Sequence, residues 1–179
     1  MMTQEIKQLL IDSIDTVPNF PKPGIVFKDI TTLLNKPEVF SRLMNHLQNR
    51  YKDVEIDYIV GLDARGFIFG SVLADRLNKG FVALRKKGKL PGETIKERYE
   101  LEYGYDEVEL RTNCFEGKKA KVLVVDDLLA TGGTAKASAK LIQRLDATVV
   151  EFCFVIGLLE LKGKDQLIDT APVYTVLEF

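Results

Sequence analysis

Residues Val122–Thr134 read VLVVDDLLATGGT. Val122 to Val125 are too few for a helix and mostly β-branched, which predicts a strand buried on both faces. Two acids follow, then a small turn whose Gly132 and Gly133 open a helix predicted over about Ala135 to Leu145. In an open α/β sheet, ligands sit beyond the carboxyl ends of the strands, where a helix N-terminus presents free N–H groups and partial positive charge. The loop Ala130-Thr131-Gly132-Gly133-Thr134 therefore suits a phosphate monoester. Its glycines permit close backbone approach and its threonines add hydroxyl donors. Asp126 and Asp127 suit the two neighbouring hydroxyls of a ribose, since paired carboxylates accept two O–H donors. The plainer alternative is a turn whose acids only cap the helix. The buried strand before the loop and the apolar-periodic helix after it favour the ligand site. No lysine follows the glycines, so the loop is not of the GK[ST] type.

Working outward, Ile6, Leu9, Leu10 and Ile14 recur at helical spacing, predicting an amphipathic helix over residues 3–14. Pro18, Pro21, Pro23 and Gly24 predict an extended, irregular segment. A second helix is expected over Pro37 to Tyr51. Tyr58 to Leu62 reads as a short strand and leads through Asp63-Ala64-Arg65-Gly66 into a helix ending near Asn78. Phe81 to Leu84 is the next strand, and Arg85 to Gly92 (RKKGKLPG) a basic, breaker-rich loop. Partial alternation from Thr94 to Arg111 predicts a hairpin outside the core. Strands at Val149 to Ile156 and, on the edge, Val173 to Leu177 complete the pattern. Strands alternating with helices imply an α/β fold, a mainly parallel doubly wound sheet flanked by helices.

At 179 residues and a formal charge of -1, the chain suits one domain over 1–179, with no electrostatic attraction to nucleic acid or membranes. Cys114 and Cys153 have neither zinc spacing nor a disulfide framework, which fits a reducing, cytoplasmic setting. No stretch approaches the roughly 18 apolar residues of a membrane span. His46, the single histidine, sits on an amphipathic helix and suits a partly buried structural role. Histidine metal clusters and Ser-His-Asp chemistry are thereby disfavoured.

The turn at Asp63, Ala64 and Arg65 repeats the strand–loop–helix logic. Arg65 offers a forked, permanently charged donor for pyrophosphate, although a helix cap with a solvated arginine explains it equally well. Arg85, Lys86, Lys87 and Lys89 form a basic patch that reads as a solvated loop or, hinged by Pro91 and Gly92, as a lid over a polyanion.

Acid-acid, a short spacer and Thr-Gly-Gly-Thr resemble the phosphoribosyl-pyrophosphate (PRPP) signature of the type I phosphoribosyltransferases. Four more stretches narrow the resemblance to the adenine phosphoribosyltransferases: Phe20 to Ile30 (FPKPGIVFKDI), Gly61 to Phe69 (GLDARGFIF), Arg85 to Thr94 (RKKGKLPGET) and Leu101 to Gly104 (LEYG). The resemblance implies a small hood, from residues 1–35 and the C-terminal part, and a flexible lid hairpin. It implies adenine held by Val26, Phe27 and Lys28 and closed in by Leu158; from the residues alone, Phe27 would be a core aromatic. It implies ribose on Asp126 and Asp127, the 5′-phosphate on Ala130 to Thr134, and pyrophosphate on Asp63, Ala64, Arg65, Arg85, Lys86 and Lys89. Glu102 takes the catalytic role, with Tyr103 beside it in the lid; Glu97, Glu100, Glu107 and Glu109 are the neighbouring hairpin acids.

Adenine and PRPP are the implied substrates, with Mg2+ held mainly by PRPP and water rather than by the protein. A homodimer is implied as well. A phosphoribosyltransferase for another base is disfavoured by the Val26–Lys28 segment and the LEYG lid. A non-catalytic PRPP-sensing regulator is disfavoured by the lack of a basic face. One position departs from the pattern: Gly157 stands where many members carry glutamate.

Overall fold

The computed structural model describes residues 2–20, 22–100 and 104–179. They divide into two units, Met1–Val54 and Glu55–Phe179. In the first, α1 (Gln4–Ile11) starts where the Ile6 N–H donates to the Thr3 hydroxyl at 3.3 Å, an N-cap. It ends short of the predicted Ile14. The Ser13 hydroxyl donates to the Leu9 carbonyl at 2.8 Å, and such side-chain bonds compete with the helix ladder. The segment expected to be irregular contains two short strands, β1 (Asp15–Pro18) and β2 (Val26–Asp29), paired antiparallel. Pro18 ends β1, and Pro23 lies outside both strands, in the connection. There Gly24 takes φ +87° and its N–H donates to the Asn19 side-chain oxygen at 2.9 Å. A short helix, α2 (Thr31–Leu34), leads to α3 (Pro37–Tyr51). The latter buries Val39, Leu43, Met44, Leu47 and Tyr51 on one face. His46 is half-buried on α3, and burial lowers its pKa from the ordinary value.

The second unit is built on a sheet. In chain order its elements are β3 (Tyr58–Leu62), α4 (Gly66–Leu77), β4 (Gly80–Lys86), β5 (Thr94–Glu100), β6 (Tyr105–Arg111), β7 (Lys121–Leu129), α5 (Gly133–Arg144), β8 (Thr148–Gly157) and β9 (Val173–Glu178). Seven strands lie in the order β5-β6-β4-β3-β7-β8-β9. Those from β4 to β9 in this order are parallel, and the β5–β6 hairpin is antiparallel. Successive side chains along a strand face opposite ways, and the two helices use both faces. Val60, Leu62, Val122 and Val124 join Leu141 and Ile142 of α5 in one core cluster. On the other face, glycines let α4 approach: a Cβ on Gly70 would lie 3.4 Å from the Gly61 Cα and 2.9 Å from the Phe81 ring.

Three boundaries differ from expectation. Strand β7 does not stop before its acids, because Asp126, Leu128 and Leu129 continue the ladder opposite Phe154, Ile156 and Gly157 of β8. Strand β4 takes in Arg85 and Lys86, which pair with Glu109 and Val108 of β6. The hairpin is therefore part of the sheet rather than outside the core, and Val108, Glu109 and Leu110 are all buried.

Candidate active site

Beyond β7 the chain turns at once into α5. Gly132, at its N-cap, has φ +85°, a conformation that suits glycine. The Gly163 carbonyl lies where a side chain on Gly132 would go: a Cβ would meet it at 2.8 Å. A Cβ on Gly133 would come within 3.1 Å of the Tyr99 ring. The loop thus exposes main chain because neighbours on two sides leave no room for side chains. A small cavity of about 80 Å3 is lined by Ala130, Thr131, Gly132, Gly133, Thr134 and Asp126, among others. The five loop residues and the first acid are therefore brought together as expected.

The two acids are not equivalent. Asp127 is 5 % exposed and its carboxylate forms an ion pair with the Arg65 Nε. Asp126 accepts the Asp127 N–H at 2.8 Å and lines the cavity. Burial first, then the Asp127 charge beside it, push its carboxyl well above the usual carboxylate range. Both acids therefore lie at the strand end as the sequence suggests, but in unlike surroundings, one paired with a guanidinium and one beside a second carboxylate. The ion pair also joins two motifs that the sequence places 62 positions apart.

In the neighbouring loop the Asp63–Ala64 peptide is cis. The Asp63 carboxylate accepts from Arg85 Nε at 3.0 Å and from the Lys86 N–H at 3.4 Å. The basic patch is matched by acids of β6. Lys86 pairs with Asp106 at 3.0 Å and Lys87 with Glu107 at 3.3 Å. The N–H groups of Lys89 and Leu90 both donate to Glu109 at 2.9 Å. Burial pushes the Glu109 carboxyl up, but these main-chain donors outweigh it and hold it below its ordinary value. The loop is exposed, as a solvated loop would be, but two of its lysines are matched by acids of the neighbouring strand.

Leu158 follows β8, donates its N–H to the Leu129 carbonyl at 3.0 Å and lines a cavity of about 140 Å3 with Leu129, Gly157 and Gly163. Gly157 has a local reason: a Cβ there would lie 2.8 Å from the Thr175 methyl on β9. In the first unit, Val26, Phe27 and Lys28 form β2. Val26 is exposed, the Phe27 ring meets Phe20 edge-on at 5.2 Å, and Lys28 Nζ donates to the Thr16 hydroxyl at 3.0 Å. Glu102 and Tyr103 lie outside the described residues. Among the described residues no three His, Cys, Asp or Glu side chains gather to hold a metal ion, and no helix is long and apolar enough to cross a membrane.

Sequence reasoning missed Tyr99, Asp106, Glu109 and Gly163. The signal for Glu109 was masked because Glu107, Val108, Glu109 and Leu110 alternate like a strand with one wet face, whereas Glu109 is 1 % exposed.

A glycine-opened loop at a strand end, an acid pair and a cation-bearing second loop on a parallel sheet are the arrangement of the phosphoribosyltransferase class. In keeping with this, residues 29–178 match the Phosphoribosyl transferase domain family. The adenine phosphoribosyltransferase of Sulfurovum sp. (strain NBC37-1) is 56 % identical over 99 % of this chain and 98 % of its own. That of Saccharomyces cerevisiae, solved with D-2,5-dideoxy-2,5-imino-altritol 1,6-bisphosphate and adenine, superimposes with a TM-score of 0.90 at 43 % identity, covering 97 % of this chain and 99 % of that one. That of Rhodothermus marinus gives 0.92 at 44 %, covering 99 % and 100 %. The chain belongs to the adenine phosphoribosyltransferase family.

Proposed function

We propose that this protein transfers the 5-phosphoribosyl group of PRPP to N9 of adenine, giving AMP and pyrophosphate. The observation that carries the reading is the single cavity that joins Asp126 to the glycine-opened start of α5. The 56 % identity to an adenine phosphoribosyltransferase supports it.

The loop Ala130–Thr134 takes the 5′-phosphate on main-chain N–H groups, and Asp126 and Asp127 take the ribose hydroxyls. Arg65 anchors Asp127 while presenting cationic charge toward pyrophosphate, with Asp63, Ala64, Arg85, Lys86 and Lys89 completing that subsite. Fixed cations there stabilise the negative charge that develops on the leaving group. The family resemblance assigns adenine binding to Val26, Phe27, Lys28 and Leu158. As N9 bonds to C1 of the ribose, the C1–O bond to pyrophosphate breaks and the base must lose a proton. The Glu102 carboxylate accepts it, a step typically contributing roughly 100- to 10,000-fold in rate. Magnesium ion would be carried by diphosphate oxygens and water, neutralising charge on the diphosphate. The working form is a cytoplasmic homodimer, which sedimentation at assay concentration checks.

Purified protein, PRPP and magnesium are offered adenine, guanine, hypoxanthine, xanthine and orotate in competition, and the products are weighed by mass spectrometry. AMP alone is expected. A different nucleotide, or none, overturns the reading. Glu102→Gln should lower kcat within the range just given while PRPP affinity stays within a few-fold.

A further inference from the structure

The site contains a run of polar contacts that the proposed chemistry does not itself require. Lys86 Nζ lies 3.0 Å from the Asp106 carboxylate. The same Oδ2 accepts the Tyr99 phenol at 3.3 Å, and the Thr134 hydroxyl donates to the Tyr99 oxygen at 3.1 Å. The run starts at the end of β4, crosses both hairpin strands and ends on the first turn of α5. Its two termini, Lys86 and Thr134, belong to the pyrophosphate and 5′-phosphate subsites.

We propose that Tyr99 is a positioning residue whose hydroxyl ties the phosphate loop to the Asp106–Lys86 pair, so that the two anion subsites of one PRPP molecule are set as a unit. This rests on the PRPP reading above. A phenol is suited to the place because its single O–H can donate to the carboxylate while its oxygen accepts from threonine. Its ring lies so close to Gly133 that a Cβ there would come within 3.1 Å of it, and this fixes where that hydroxyl sits. Burial, foremost, holds the phenol above its ordinary pKa, so it remains a neutral donor at working pH. The hairpin strand carrying it is anchored on α5 independently. Glu97 takes Lys140 Nζ at 2.9 Å and Arg144 Nη1 at 3.5 Å, and Arg144 also donates to the Lys96 carbonyl at 2.8 Å. Removing one hydroxyl therefore leaves the hairpin docked and isolates the tie.

Tyr99→Phe deletes only the hydroxyl and keeps the ring against Gly133. Calorimetric titration with PRPP and magnesium should show about a tenfold loss of affinity, the effect of one hydrogen bond to a charged group. In turnover, KM for PRPP should rise by a similar factor while KM for adenine and kcat stay within about threefold. Thr134→Val should cost clearly less affinity in the Tyr99→Phe background than in the parent, because the two hydroxyls act through one contact. Tyr105→Phe removes an exposed hydroxyl from the same hairpin and serves as the control, with parental affinity expected. Unchanged PRPP affinity in Tyr99→Phe, or strictly additive losses in the double variant, would overturn the tie. A parent protein that binds PRPP but makes no AMP would count against the proposed function, while the calorimetric losses would still decide the tie.

Discussion

Asp126 and Asp127 are chemically identical neighbours in unlike surroundings. Asp127 has a guanidinium partner; Asp126 is half-buried beside another carboxylate, and its pKa is raised by desolvation and by the Asp127 charge. An acid with a raised folded pKa destabilises the fold whenever pH keeps it ionised. Asp126→Asn retains an oxygen acceptor for the Asp127 N–H and removes the charge. We therefore expect the variant to be more stable than the parent at pH 7 to 8, by about 1 kcal/mol, or roughly 2–4 °C in Tm for a domain of this size. PRPP affinity should fall about tenfold through loss of a charged acceptor. The stability gain should shrink as pH falls through the raised pKa toward the ordinary carboxylate value near 4, where the parent carboxyl is protonated too. Paired calorimetric melts and PRPP titrations check both halves. Lower stability at pH 7 to 8 would mean that the Asp126 charge is fully compensated.

The loop Ala130–Thr134 depends on a short segment outside its own motif. The 3-10 turn Gly163–Gln166 brings the Gly163 backbone against Ala130 so closely that a Cβ on Gly163 would lie 2.2 Å from the Ala130 carbonyl oxygen and 2.9 Å from Leu129. Backbone on backbone has no side chain to move aside. Gly163→Ala should displace the loop, raising KM for PRPP at least about tenfold and lowering stability by roughly 1–3 kcal/mol, as overpacking does. A parental KM in that variant would show that the turn shifts without disturbing the loop. Nothing in the local sequence of Gly163 announces this contact, because it joins segments more than thirty positions apart. The same reason explains the other misses. Periodicity located α3 and α5 to within a few residues, since each buries one regular face, and the short apolar run and the turn after it located β3 and α4. It could not see β1 and β2, whose four residues each are too few to show a period. It stopped β7 at its acids because a charge normally ends a buried run; pairing with β8 carries the strand onward. In the site, the glycine loop and Asp126 were legible as one string, and they line one cavity. The Arg65–Asp127 pair and the acids facing the basic patch were not, since only the sheet order brings them together.

Across the whole molecule the near-neutral charge conceals carboxylates held in opposite senses. Glu109 and Asp106 both meet burial that pushes them up, and both end below the ordinary value. Main-chain donors and Lys96 act on the first; Lys86, the Glu107 N–H and Tyr99 act on the second. Asp126 lies above it. A lowered folded pKa gives stability that is present above the unfolded value, about 4.3 for glutamate, and lost as pH falls through the folded value. Glu109 and Asp106 therefore make the fold weaken in acid, whereas protonation of Asp126 works against that trend. Urea unfolding of the parent between pH 7 and pH 3 should show stability falling below about pH 5. Glu109→Gln keeps an acceptor for the Lys89 and Leu90 N–H groups but removes the charge. It should be less stable at pH 7 by about 1–3 kcal/mol and should lose less on acidification, so its curve approaches the parent's near pH 3. Asp126→Asn should show the opposite, a steeper acid loss from a higher starting point. Curves for Glu109→Gln and the parent that stay parallel throughout would mean that Glu109 gains nothing from being ionised in the fold, and that the turn from Lys87 to Leu90 is held by hydrogen bonding alone.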